Sequence, residues 1–105
     1  MKGNVLNLLS ISRKAQHLKM GFDAVEQSLS KDARLLLFSS DISDQTKKRM
    51  QAKADRFGVA SLTIPYTADD ILLTVGKRIA VMSVTDRGLA ESVTSLIHDK
   101  EELNR

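Results

Sequence analysis

The stretch Arg34 to Ser40, RLLLFSS, decides how the rest of the chain is read. Its centre, Leu35 to Phe38, is an unbroken apolar run too short to be a helix between its flanks, so it reads as a β-strand without a polar face. Such a strand has to be covered on both sides, which places it in the middle of a sheet. A second run of the same kind, Arg78 to Val84, RIAVMSV, makes the same demand. Two strands of this pattern call for a layer of helices on each face.

Helical periodicity supplies those layers. Val5, Leu8, Leu9 and Ser12 recur at helical spacing and predict an opening helix that ends near the polar RKAQH, residues 13–17. Leu18 to Met20 then reads as a short strand. After Gly21, the residues Phe22, Val25 and Leu29 share one face of a second helix that runs out at Ser30-Lys31-Asp32. Ser43 and Asp44 offer N-cap and first-turn chemistry to a third helix, with Met50, Ala54 and Phe57 as its inward face and Gly58 as its stop. VASLTIP, residues 59–65, alternates polar and apolar until Pro65 ends it, the pattern of an edge strand. Thr67 and Asp70 approximate a capping box for a short helix through Ile71, Leu72 and Val75 to Gly76, and Thr85-Asp86 opens a last helix bearing Leu89, Val93, Leu96 and Ile97. The predicted order is α-β-α-β-α-β-α-β-α. Right-handed crossovers would fold it as a three-layer α/β/α sandwich on a small four-stranded mixed, mostly parallel sheet.

At 105 residues and 42% hydrophobic content, the chain fits one domain, taken as residues 1–98 with a polar tail over 99–105. It has no cysteine, which excludes disulfides, zinc ribbons and thiol chemistry. The N-terminal MKGNVLNLLSISRKAQ is too interrupted for a signal sequence, and no segment approaches membrane-spanning length, so a soluble cytoplasmic protein is expected. Sixteen basic against thirteen acidic side chains give a net charge of +3, compatible with nucleic acid and with much else.

Three basic places stand out. In Lys19-Met20-Gly21-Phe22-Asp23, a lysine and a glycine precede a helix whose first N–H groups point outward, the ingredients of an anion grip or of a plain turn. In TKKRMQAKADR, residues 46–56, Arg49, Lys53 and Arg56 fall at i, i+4 and i+7, as a solvated helix face or a phosphate-binding stripe. In VGKRIA, residues 75–80, Lys77 and Arg78 follow a helix-ending glycine. Catalytic signals are thin. His17 and His98 lie far apart with no metal-ligand spacing, and Asp41 and Asp86, which follow the buried strands, serve as helix caps more simply than as phosphoryl acceptors. Neither nucleotide-binding glycine motif occurs. The expectation is therefore no enzyme, no cofactor, no metal and no small-molecule substrate.

Four segments bring a family into view: SRKAQHLKMGFDAVEQSL (12–29), ARLLLFSSDISDQTKKRM (33–50), ADDILLTVGKR (68–78) and IAVMSVTDRGLAESV (79–93). Together they resemble the kink-turn RNA-binding ribosomal proteins of the L-seven-Ae / L-thirty-e superfamily, and most of all its small bacterial YlxQ-type members. The resemblance implies an α/β/α sandwich that grips a sharply bent RNA at one end. It places the family's glycine at Gly21 and its basic approach at Lys19. Asp23 stands where the family has asparagine, Ala24 where it has glutamate, Gln27 where a lysine is common, and Leu72 where a fourth-helix glycine is usual. Asp23 lacks the amide donor and Ala24 the carboxylate that read guanine edges, which shifts the load to shape and phosphate contacts. The RNA-binding set so implied is Lys19, Gly21, Phe22, Asp23, Gln27, Ser40, Asp41, Lys77 and Arg78. The function expected is a non-enzymatic, ribosome-associated protein that binds kinked or otherwise structured RNA. The alternative is a protein-interaction module with the same fold and eroded RNA chemistry.

Overall fold

The computed structural model describes residues 5–103, with side chains through His98. Five helices and four strands alternate: α1 (Val5–Lys14), β1 (Leu18–Met20), α2 (Phe22–Leu29), β2 (Leu35–Phe38), α3 (Asp44–Arg56), β3 (Ala60–Thr63), α4 (Ala68–Val75), β4 (Val81–Val84) and α5 (Arg87–Leu103). The polar stretch after His98 thus begins as a continuation of α5, and residues 104–105 lie outside the described residues.

The four strands form one mixed sheet in the order β1-β4-β2-β3. All four residues of β2 and of β4 are buried, as their unbroken apolar runs require, while β3 lies at the edge and is partly exposed. Three strands run one way and only β4 runs against them. Because β4 lies between β1 and β2, however, two of the three pairings are antiparallel and only β2–β3 is parallel. This corrects the expectation of a mostly parallel ladder. The cause is where the chain re-enters the sheet: the Ser40 N–H bonds the Tyr66 carbonyl just before α4, and the Ser39 N–H bonds the Ala80 carbonyl just before β4. Helix α4 therefore leaves from the same end at which β4 starts, and residues 76–80 bring the chain back before the strand begins.

Each sheet face has its own apolar layer. Leu35, Leu37, Met82 and Val84 face α1, α4 and α5, where Leu9, Ile71 and Val93 are buried. Leu36, Phe38 and Val81 face α2 and α3, where Val25, Leu29, Met50 and Ala54 are buried. Two residues expected on inward faces are exposed instead, Phe22 at 45% and Phe57 at 52%, and Leu72 on α4 is exposed at 40%. For Phe57 the reason is visible in the helix end. Gly58 takes a left-handed φ of 70°, its N–H bonds the Asp55 carbonyl, and the Val59 N–H bonds the Ala54 carbonyl. This Schellman closure turns Val59 into the core in place of Phe57. Phe22 is the first residue of α2, and Val25 and Leu29 fill the inward face behind it.

Candidate nucleic-acid interface

The ends of β1, β2 and β3 and the start of β4 meet at one end of the sheet. The Gly21 N–H bonds the Val81 carbonyl, which sews the β1–α2 corner to the first residue of β4. The Ser39 and Ser40 N–H groups tie the β2–α3 loop to Ala80 and Tyr66. Backbone bonds thus join four connections that are far apart in sequence into a single surface.

At the corner, Gly21 adopts φ 90° and ψ 162°, a conformation that a side chain strains, and the space where a Cβ would stand is open to 4 Å. It is the N-cap of α2, and no side chain caps that helix. The first turn of α2 therefore presents N–H groups, and the positive end of its dipole, to whatever approaches Gly21. Asp23 is exposed in this turn without bonding those groups. Phe22 is exposed at the same place. Lys19 projects from β1 opposite Ser83, on the α2 side of the sheet, and is exposed.

The neighbouring loop is held differently. The Ala68 N–H donates to Asp41 Oδ1 at 3.1 Å, so Asp41 supports the first turn of α4 rather than the helix that follows it in sequence. The Ser39 hydroxyl beside it, and then the Ala68 N–H, hold the Asp41 carboxyl below its ordinary range. Ser39 Oγ itself is buried and completes no hydrogen bond of good geometry among the described residues, so the Ala68 contact is the one that fixes Asp41. Thr67 and Asp70 close a full capping box on the same helix. Ser40 is exposed beside Asp41.

Arg78 turns its guanidinium to Asp69 of α4, Nε to Oδ1 at 2.8 Å. This exposed pair leaves Lys77 as the unpaired cation of that connection among the described residues. Gln27 stands apart: five residues past Phe22, it lies about 8 Å along the axis of α2 from the corner. The structure thus gathers Gly21, Phe22, Asp23, Ser40 and Asp41 at one end, with Lys19 just behind them on β1. Arg78 is held back toward α4, and Gln27 is set deeper along α2. Arg13 has no role in the sequence reading, yet its guanidinium sits 3.5 Å from the Cβ position of Gly76, next to Lys77. Its only signal in the sequence was a basic last turn of α1, which is common at helix ends.

Among the described residues, no three His, Asp or Glu side chains gather where they could hold a metal. No helix there is long and apolar enough to cross a membrane.

No family model and no curated protein matches the chain. Solved structures do. A protein of unknown function from Bacillus halodurans superposes with a TM-score of 0.83 over 92% of this chain and 99% of its own, at 23% identity. The Giardia lamblia 15.5kD RNA binding protein superposes with a TM-score of 0.72 over 94% of this chain and 86% of its own, at 18% identity. Identities this low establish what the folds share: the chain is an α/β sandwich of five helices alternating with a four-stranded mixed sheet, built like these two proteins along nearly its whole length.

Proposed function

We propose that this chain is a non-enzymatic RNA-binding protein, that it grips a kinked or otherwise structured RNA at the β1–α2 end of the sandwich, and that it works in association with the ribosome. The observation that carries this reading is the corner itself. An uncapped helix N-terminus stands behind a positive-φ glycine with open space in front, flanked by Lys19 and by an exposed aromatic ring. A phosphate fits the N–H groups, and an unstacked base fits the face of Phe22. The RNA-binding protein among the structural neighbours supports the same reading at the level of fold. With an aspartate at 23 and an alanine at 24, the grip relies on backbone shape and charge rather than on guanine edges. Replacing Lys19 and Lys77 singly by alanine is expected to weaken RNA binding and to lower the slope of log affinity against log salt by about 0.7–0.9 for each phosphate that is no longer neutralised. Unchanged affinity in both variants, measured by fluorescence anisotropy, would put the site elsewhere.

A second reading, a protein-interaction module, is favoured by one observation. Leu72 and Leu73 stand exposed side by side on α4, Leu73 at 87%.

A further inference from the structure

Outside the corner, the most charged element of the fold is α3. Its thirteen residues hold five basic and two acidic side chains, a net +3 equal to that of the entire chain. Met50 and Ala54 face the core, and Lys48, Arg49 and Arg56 lie exposed on the outer side. Among the described residues none of these three forms an ion pair, whereas Lys53 is held by Glu26 of the adjacent α2. Asp55 is the one acidic residue exposed among them in the later half of the helix. Arg49 and Arg56 are two turns apart, about 10 Å along the axis.

Two further features give this face a direction and an end. The helix starts where the β2–α3 loop joins the corner surface, so its basic side leads away from the corner for about 18 Å. At its far end stands Phe57, turned out of the core by the Schellman closure and half exposed directly after Arg56. Unpaired cations in a row, closed by an aromatic ring that packing has left free, have the composition of a single-stranded nucleic-acid track. The cations follow the phosphates, and the ring stacks a base. A protein partner would find here only a charged surface with one ring.

We infer that the outer face of α3, Lys48, Arg49 and Arg56 with Phe57 at its end, binds a single-stranded segment of RNA that extends from the structured part held at the corner. The inference rests on the proposed RNA-binding function and enlarges its footprint from one end of the sandwich to the other. Glu26 bounds the track. It neutralises Lys53 and lies within electrostatic reach of Arg49, so removing its charge strengthens the track.

The test uses two RNA probes, a kink-turn hairpin and the same hairpin with a single-stranded extension of about twelve nucleotides, within the span that a groove of this kind covers, titrated at several salt concentrations. Wild type is expected to bind the extended RNA more tightly and with a steeper salt slope. The triple variant Lys48→Gln/Arg49→Gln/Arg56→Gln should remove that difference, lowering the slope for the extended RNA by about 2 and leaving the bare hairpin unaffected. Phe57→Ala should weaken the extended RNA about tenfold. Glu26→Gln should strengthen it. The chain has no tryptophan, so Phe57→Trp supplies a single reporter whose emission a stacked base quenches. Equal binding of both RNAs by wild type, or a triple variant with an unchanged slope, overturns the inference and leaves the corner standing. Weaker binding of the extended RNA by the α3 variants, with affinity unchanged in both Lys19→Ala and Lys77→Ala, sustains the track and overturns the corner. No binding of either RNA by wild type overturns both.

Discussion

Ser28 has one hydroxyl proton and spends it on the Val25 carbonyl at 2.6 Å, so the buried contact of 2.8 Å between Ser28 and Ser83 has Ser83 as its donor. The two positions are therefore unequal. Ser28→Ala leaves the Ser83 hydroxyl buried without an acceptor and should cost about 1–3 kcal/mol, whereas Ser83→Ala leaves Ser28 its bond to Val25 and should cost less. The double variant should recover part of the Ser28→Ala deficit, which urea unfolding of the three proteins measures directly. Asp41 gives a pH-dependent counterpart. Its carboxyl titrates below the ordinary 3.8 in the folded protein, so its stabilisation is present above that pH and disappears as the pH falls through the lower folded value. Asp41→Asn, which keeps an oxygen for the Ala68 N–H but cannot titrate, should show a shallower fall of urea midpoint than wild type as the pH is lowered from about 5 to about 2.

At the scale of elements, α1 ends as α3 does, in a Schellman closure, but with Gln16 rather than glycine at a left-handed φ of 63°. A side chain there is strained, and Gln16→Gly should stabilise the protein by about 0.5–1 kcal/mol once the greater freedom of glycine in the unfolded chain is deducted. A rise in melting temperature checks it, and an unchanged or lower one contradicts it. The elements themselves were legible because their signals are local. Leu35 to Phe38 is apolar on both faces, Thr67 and Asp70 stand at capping-box spacing, and Pro65 ends an alternating run. Phe22 and Phe57 were misread because helical periodicity assigns a face without reporting where the helix starts or stops, and each lies at a terminus. The place of β4 between β1 and β2 was not legible at all. It depends on where the chain re-enters the sheet after α4, a long-range fact with no residue pattern of its own. For the candidate site, Gly21 was readable as a corner, but the bond of Asp41 to α4 and the approach of Arg13 to Gly76 join positions too far apart in sequence for spacing to link them.

At the scale of the whole molecule, charge and shape are divided between two layers. The helices α1, α4 and α5 enclose one apolar cluster, and α2 and α3 enclose the other while presenting the uncapped corner and the basic helix outward. A net charge of +3 is too small to bind a polyanion by bulk attraction alone. Affinity has to come from where the cations and N–H groups stand, which predicts selectivity for an RNA whose backbone bends to meet them. The direct measurement is a calorimetric titration of the protein with a kink-turn RNA and with a plain duplex of equal length, each at two salt concentrations. The account predicts tighter binding of the kinked RNA, with a preference that persists at the higher salt. Equal binding of both, erased by salt, would contradict it, reduce the corner to a weakly basic surface, and turn attention to Leu72 and Leu73 as the docking point for a protein partner.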